Sequence, residues 1–324
     1  MTVCRHLTLD GHEPDKTRMR TFVSLFRFGY AGQYELGFYW SRKNGRGHGA
    51  EPASSRTQRS GLQPQRRKSA GACWRRRTRG QLPRGRVPWR GGRDDDVSDD
   101  HALEQVVFGK DGIAAAMQER CIHISHSTIS TALARRLNDE HTQRKQGLLS
   151  SPVFGRPEAA EAKRLLVLAA GSSDVIERCR PLLDAIGRQT FVVGAEPWQA
   201  NIAKLCGNFM IVSAIEAFGE ASATLRKAEV PPEMFLDVMT ALFGSPVITN
   251  YGRAIVEETF EPAGFALRLG LKDVRLMLAA SEECTSPMPL ASVVRDQFIS
   301  ALARGQGEMD WSSVAKVSAR AAGL

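Results

Sequence analysis

A chain of 324 residues with 42% hydrophobic content is long enough for two domains with real cores, and its net charge of +9 raises the question of nucleic-acid binding. The tract Arg42–Arg93 holds 16 Lys and Arg against one acid, Glu51, so it contributes 16 − 1 = +15 and the rest of the chain sums to 9 − 15 = −6. The basicity belongs to one tract, which argues against nucleic-acid binding as a global property.

The cysteine content and the apolar runs indicate the compartment. Six cysteines are scattered along the chain without metal-ligand spacing, which is typical of reduced thiols in a cytoplasmic protein. Met1–Asp10 lacks the apolar core of a signal peptide, and no apolar run reaches the length that crosses a bilayer. We therefore expect a soluble, cytoplasmic protein without a membrane partner.

The first 95 residues show little regular pattern. Residues 1–34 are polar apart from a weak apolar patch at Phe22–Phe26, and Glu35–Phe38 could open a strand that stops at Tyr39. The tract 42–93 follows neither the helical nor the strand period, and its Gly, Pro, Ser and Arg content predicts disorder. We expect residues 1–34 to be a non-native or disordered extension.

Regular patterns return after Ser98. Strands and helices alternate, which predicts an α/β domain with a mostly parallel sheet. From about Glu196 the apolar positions recur at helical spacing to the C-terminus, which predicts an all-α domain over 196–324. The predicted α/β elements are the helix His101–Arg120, the strand Cys121–Ser125, the helix Thr131–Gln143, the strands Leu148–Phe154 and Leu165–Ala169, the helix Ser173–Ile186 and the strand Phe191–Val193.

Four segments carry a family resemblance: His123–Ser130, Ser151–Ala160, Gly194–Asn208 and Leu269–Asp273. In this order and spacing they resemble the β-hydroxyacid dehydrogenase family of the 6-phosphogluconate dehydrogenase superfamily, which includes 3-hydroxyisobutyrate dehydrogenase and glyoxylate/succinic semialdehyde reductase. The resemblance implies a Rossmann-type NAD(P)-binding domain, disrupted over 35–96 and continued over 97–195. It also implies that the helical domain forms a homodimer.

Lys204 and Asn208 are the candidate catalytic residues. They are four residues apart, so on a helix they share one face. The helix is otherwise apolar, and an ammonium on it must lie in a cleft or in solvent because a buried unpaired charge is expensive. In a cleft Lys204 could protonate a carbonyl oxygen as hydride arrives, with Asn208 orienting the substrate or the lysine. The alternative is a surface lysine whose stem covers apolar area.

The resemblance also assigns cofactor and substrate contacts. It places Ser127 at the substrate, and Thr128 and Lys272 at the NADP (or NAD) cofactor, together with Val97 and Ser98 at the entry to the domain. Asp273 is expected to anchor its neighbours. Ser127 and Thr128 could also cap the following helix, and His123 and His126 lack a metal-ligand pattern, so we expect structural roles for both.

The substrate loop departs from the family pattern. The family commonly has Ser-Gly-Gly here, and this chain has Phe154, Gly155 and Arg156. Arg156 could bind a substrate carboxylate bidentately or point to solvent. Lys204 favours an aldehyde and hydroxy-acid couple over imine reduction, since imine-reducing relatives usually lack that lysine.

The G-x-G-x-x-G loop, whose amides bind the cofactor pyrophosphate, is missing. Reverse translation of Tyr39–Gly45, read one base over, returns Ile-Gly-Leu-Gly-Lys-Met-Gly. The same slip turns Gly61–Arg66 into Val-Tyr-Asn-Arg-Ser, where an arginine could meet the 2′-phosphate of NADP. It also returns Thr-Thr-Met before Val97. We hypothesise that residues 39–96 are an out-of-frame translation of a Rossmann half.

The predicted function is hydride transfer between NADP(H) and a small hydroxy acid or semialdehyde, with Lys204 as general acid and base. Without the pyrophosphate loop we expect poor cofactor binding and little activity. One alternative is a catalytically dead remnant that acts as a helical dimerisation module. Another is a reductase domain with a genuine basic nucleic-acid-binding tail, a reading disfavoured because the tract has no RGG or other repeat.

Overall fold

The computed structural model describes residues 99–110 and 112–324, apart from the side chains of residues 157 and 161, and the backbone of three earlier strands. The chain divides into two compact units. The first contains residues 1–126 and 138–148, and the second contains residues 127–137 and 149–324. Val97 and Ser98, both predicted cofactor contacts, lie outside the described residues, as does most of the tract 42–93.

The first unit is built on antiparallel strands. β1 pairs antiparallel with β2 and with β4, and β2 pairs antiparallel with β3. Three short stretches of the first 95 residues have extended backbone, which the aromatic and β-branched residues at Phe22–Phe26 favour. The elements are β1 (Met19–Phe28), β2 (Tyr34–Arg42), β3 (Ser54–Ser55), α1 (Asp100–Phe108), α2 (Ile113–Ala116) and β4 (Ile122–Ser125).

The helix predicted over His101–Arg120 is two helices. α1 ends at Phe108 and is capped by Gly109, whose N–H donates to the carbonyl of Gln105, and α2 starts after Gly112. Glycine between the helices explains the break, since it is the poorest helix former after proline.

A buried polar chain lies inside the first unit. Nδ1 of His123 is 3.0 Å from Nε2 of His141, whose Nδ1 is 2.7 Å from Oε1 of Gln146. The amide nitrogen of Gln146 donates to the carbonyls of Ala114 and Met117 at 3.0 and 2.8 Å. Burial lowers the pKa of both histidines, so both rings are neutral at pH 7. This geometry is consistent with the structural role expected for His123.

The strands β5 to β8 complete the α/β elements. β7 pairs parallel with β8 and antiparallel with β6. β5 also pairs antiparallel with β7, so a mostly parallel sheet was a wrong expectation for the described pairs. The elements are α3 (Thr131–Gln143), β5 (Gly147–Ser150), β6 (Val153–Phe154), α4 (Pro157–Glu161), β7 (Leu165–Ala170), α5 (Ser173–Ile186) and β8 (Gly187–Gly194).

Residues 197–321 are helical, as predicted. Their core contains Val212, Leu271, Phe298 and Trp311, all at most 3% exposed. The elements are α6 (Pro197–Lys227), α7 (Pro232–Phe243), α8 (Pro246–Val256), α9 (Leu267–Glu283), α10 (Pro289–Ala303), a 3₁₀ helix (Trp311–Val314) and α11 (Ala315–Ala321).

The helix α6 is long and apolar enough, by length and composition, to cross a membrane, and it is the one such helix among the described residues. The expectation that no apolar run reaches this length was therefore wrong. Its buried face carries Lys204, Asn208 and Glu216 and packs against α8, α9 and α11, which is typical of the core helix of a globular protein.

Candidate active site around Lys204

The start of α6 fixes the two candidate catalytic residues. Pro197 occupies the first turn, and Glu196 and Gln199 form a reciprocal capping box at the N-terminus. One to three turns later, Lys204 and Asn208 lie on one face, and they are 9% and 6% exposed. The shared face predicted from their spacing is therefore present, and it is a buried face.

The ammonium of Lys204 lies in an apolar environment. Its Nζ is 3.8 Å from the centroid of the Phe154 ring, and no described residue accepts a hydrogen bond from it. Burial lowers the pKa of Lys204 to about 8, although the Asp273 carboxylate raises it and the Lys272 ammonium lowers it further. A group with this pKa can both donate and accept a proton near neutral pH.

Asp273 on α9 holds the neighbouring side chains. Its Oδ2 accepts a hydrogen bond of 2.7 Å from Nδ2 of Asn208, and it is 3% exposed. Nζ of Lys272 lies 2.9 Å from Oδ1 in an ion pair that lacks hydrogen-bond geometry, and it donates to the carbonyl of Thr128 at 2.8 Å. Asp273 thus links Asn208 to Lys272, which is linked in turn to the Ser127–Thr128 loop.

Ser127 presents a buried hydroxyl beside this loop. It is 4% exposed, and its Oγ has no hydrogen-bond partner among the described residues. The helix cap that follows is made by Ser130, whose Oγ accepts from the N–H of Leu133 at 3.0 Å, so capping does not explain Ser127. An unpaired buried hydroxyl of this kind is costly unless a ligand or an ordered water satisfies it.

The loop that departs from the family pattern is fixed at three points. The ring of Phe154 lies against Lys204, Gly155 adopts φ +142°, and the guanidinium of Arg156 pairs with Asp310 at 3.3 Å. One N–H of Arg156 is therefore bound by an acid of the protein, while the side chain as a whole is 44% exposed. Asp310 was not foreseen from the sequence, since it lies 154 residues away.

Two polar side chains of the second unit are suited to bind the nicotinamide end of a dinucleotide and its substrate. The buried Ser127 hydroxyl has no hydrogen-bond partner among the described residues, and the Lys204 ammonium contacts the Phe154 ring there; a bound polar molecule would give both a hydrogen-bond partner. The pyrophosphate end has no such support, since the sequence contains no G-x-G-x-x-G loop.

The chain matches two families over consecutive segments. Residues 96–194 match the family described as "NAD binding domain of 6-phosphogluconate dehydrogenase", and residues 199–318 match "NAD-binding of NADP-dependent 3-hydroxyisobutyrate dehydrogenase". The two segments are the predicted α/β and all-α parts of the chain.

Individual proteins agree with these matches. "Uncharacterized oxidoreductase YfjR" of Bacillus subtilis is 40% identical over 220 residues, which are 68% of this chain and 77% of the relative. "Glyoxylate/succinic semialdehyde reductase 1" of Arabidopsis thaliana is 29% identical over 219 residues, 67% of this chain and 75% of the relative. A crystal structure of 3-hydroxyisobutyrate dehydrogenase from Salmonella typhimurium superposes with a TM-score of 0.62 at 28% identity, covering 68% and 77% of the two chains.

The fold and the matched segments define an NAD(P)-dependent oxidoreductase. The chain belongs to the β-hydroxyacid dehydrogenase family, in which 3-hydroxyisobutyrate dehydrogenases and semialdehyde reductases are found. The predicted order of a Rossmann-type domain followed by a helical domain is confirmed, as is the NAD(P) cofactor class.

Proposed function

We propose that this protein interconverts a small hydroxy acid and its semialdehyde, with Lys204 as general acid and base and Asn208 as its catalytic neighbour. The observation that carries the proposal is the Lys204 ammonium itself, which is buried and has no acceptor among the described residues. Such a charge is expensive to keep. Its pKa of about 8 suits proton transfer in either direction near neutral pH.

A bound NAD(P)H supplies the hydride. In reduction, the ammonium of Lys204 donates a proton to the carbonyl oxygen of the substrate, and in oxidation its neutral amine removes the hydroxyl proton. Nδ2 of Asn208 is committed to Asp273, which leaves its amide oxygen as an acceptor for the substrate hydroxyl or for the ammonium. Asp273 thereby fixes the orientation of Asn208.

The substrate is held, in this proposal, by Ser127 and by the loop at Phe154 and Gly155. The Ser127 hydroxyl would donate to a carboxylate oxygen, for which a buried unpaired donor is suited. The names of relatives support a small acid: one is a glyoxylate/succinic semialdehyde reductase and another an L-threonate dehydrogenase. Arg156 serves this loop through its ion pair with Asp310.

For the cofactor we propose NADP, with NAD as the alternative, contacted by Thr128, Lys272, Val97 and Ser98. Lys272 is 21% exposed and its Nζ lies at the Thr128 carbonyl, so it would hold an oxygen of a cofactor bound at that loop. The preference for NADP rests on the arginine recovered out of frame from Gly61–Arg66.

We further propose that residues 39–96 are out of frame, so that the chain as written binds NADPH poorly. Resequencing of the gene tests the frame at Phe38 and Val97, and an uninterrupted frame would contradict the proposal. Fluorescence titration of the chain with NADPH tests binding, and an affinity in the micromolar range would contradict the second part.

A homodimer in the cytoplasm is the proposed assembly. One face of α7 supports it, because Met234, Val238 and Leu242 recur every four residues and are each more than half exposed. A second copy of the chain would cover this apolar row. The molar mass in solution, measured by light scattering, should be twice the chain mass of 35.6 kDa, and Val238→Glu should reduce it to one chain mass. A monomeric wild type would contradict the assembly.

Turnover tests the chemistry. The chain, and a version in which codons 39–96 are shifted back into frame, are assayed with NADP⁺ and 3-hydroxyisobutyrate. Lys204→Met should abolish the reaction, whereas Lys227→Met, an exposed lysine on the same helix, should not change it. An equal loss in both variants, or turnover that survives Lys204→Met, would refute the assigned role.

A further inference from the structure

The ring of Phe154 occupies one side of the Lys204 ammonium. The distance from Nζ to the ring centroid is 3.8 Å, which is well inside the range of a cation–π contact. The ring fits there because residue 207, one turn along α6, is glycine. A β-carbon at Gly207 would lie 2.3 Å from Cζ of Phe154. The ring is therefore packed against the helix that carries the lysine.

Two residues further on, Arg156 is attached to a different part of the unit. Its guanidinium forms the ion pair with Asp310 and lies 4.9 Å from the ring of Tyr251. It also packs flat on the backbone at Gly264, where a β-carbon would lie 2.5 Å from its Cζ. These contacts anchor the guanidinium, while 44% of the side chain is exposed.

Asp310 is itself held by the backbone. Its Oδ2 accepts from the N–H groups of Gly264 and Phe265 at 3.0 and 3.1 Å, and its Oδ1 accepts from the N–H and the hydroxyl of Ser312. The carboxylate is 94% buried on its side chain. Arg156 thus binds to a fixed point of the helical part.

Gly155 is the single residue between Phe154, which contacts Lys204, and Arg156, which binds Asp310. Its φ of +142° is open to glycine and strained for other residues, and a β-carbon there would lie 2.6 Å from Cδ2 of Leu165. With one residue between them, and with Gly155 packed against Leu165, we expect a displacement of Arg156 to move Phe154.

We propose that Arg156 is a positioning residue for Lys204: by binding Asp310 it holds the Phe154 ring against one side of the ammonium and leaves the other side for the substrate oxygen. This proposal rests on the proposed function only in assuming that Lys204 is the acid/base group; the position of the ring does not depend on it. The other charged groups that face the ammonium, Asp273 and Lys272, come from α9, so Phe154 is the contact that the loop contributes.

The experiment follows the Lys204 side chain by NMR in the full chain, labelled with ¹³C at lysine Cε and assigned by Lys204→Met. A ring this close should shift the Lys204 resonance upfield. Arg156→Lys and Gly207→Ala should each remove the upfield shift although Phe154 is still present. Phe154→Tyr should keep it, and so should the exposed control Arg180→Ala. Circular dichroism confirms that each variant is folded.

A pH titration of the same resonance adds a measurement that a purely structural role would not affect. Phe154→Leu keeps apolar bulk and removes the ring, so the pKa of Lys204 should fall by about one unit, because a desolvated cation–π contact favours the charged form. Phe154→Tyr should restore the wild-type value. An unchanged pKa in Phe154→Leu would overturn the proposal.

An upfield shift that persists in both Arg156→Lys and Gly207→Ala would also overturn it. These measurements need no turnover, so they separate the two proposals. If the resonances behave as expected while Lys204→Met remains active, the acid/base role is wrong and the positioning of the ammonium stands.

Discussion

Lys204→Met should make the protein more stable while it abolishes the proposed chemistry. Lys204 is 9% exposed, and burial lowers its pKa from 10.5 to about 8. The difference of about 2.5 pH units, at about 1.36 kcal/mol each, is a cost to the folded state of about 3 kcal/mol. Methionine has a similar length and no charge, so it removes this cost and keeps the contact with Phe154.

The contact between ammonium and ring already offsets part of that cost. A desolvated cation–π pair contributes about 1 to 2 kcal/mol, which the variant gives up. The free energy of unfolding should therefore rise by roughly 1 to 3 kcal/mol at pH 7. The sign is unusual, since most substitutions in a core destabilise.

The gain should depend on pH in a defined window. Between the folded pKa of about 8 and the ordinary value of 10.5, the unfolded chain binds more protons at residue 204 than the folded one, so wild-type stability rises with pH. The penalty is complete below pH 8 and disappears above 10.5. The advantage of Lys204→Met should accordingly shrink as the pH is raised from 7 to 10.

Urea unfolding followed by far-UV circular dichroism measures this difference at both pH values. Lys227→Met, at an exposed position of the same helix, is the control and should change stability by less than about 0.5 kcal/mol at either pH. The reasoning is refuted if Lys204→Met is less stable than wild type at pH 7, or if its gain is the same at pH 10.

Three further substitutions test other contacts. Asp273→Ala removes the carboxylate that raises the pKa of Lys204, so the alkaline limb of kcat/KM for reduction should move to lower pH; an unmoved limb would argue against the assignment. Gly155→Ala places a β-carbon 2.6 Å from Leu165 at φ +142° and should cost about 2 to 3 kcal/mol in urea melts, whereas Gly244→Ala, at φ +58° with open space around it, should cost only about 1 kcal/mol. Gln146→Leu leaves two carbonyls and a histidine N–H unpaired inside the first unit, and a loss below about 1 kcal/mol would contradict the buried chain of hydrogen bonds.

The local sequence pattern was sufficient to predict the bounds of helices that have clear capping residues. The predicted helices Thr131–Gln143 and Ser173–Ile186 are α3 and α5 with the same bounds. A serine immediately before each helix marks its start, and the glycine after α5 marks the end of that helix. These boundary residues agree with the helical period of the apolar positions. Between α1 and α2, by contrast, the apolar period continues through two glycines, and the period alone could not reveal the break.

The candidate site likewise has one part that the sequence predicted and one part that it did not. Spacing along one helix predicted that Lys204 and Asn208 share a face, because four residues are about one helical turn. It could not predict which partners meet that face. Asp273 and Phe154 arrive from other elements, and Asp310 reaches Arg156 across 154 residues. Those contacts depend on the tertiary packing of distant segments, which the spacing of residues along one helix does not reveal.

The pairing of Arg156 with Asp310, and of Phe154 with Gly207, has a consequence for the history of the family. Loss of Arg156 would leave the buried Asp310 carboxylate without its counter-ion, and a side chain at position 207 would displace the Phe154 ring. In homologous sequences, an arginine at position 156 should accompany an acid at 310, and an aromatic residue at 154 should accompany glycine at 207. Branches with small residues in the loop should have lost both companions, so the two pairs should mark a lineage within the family.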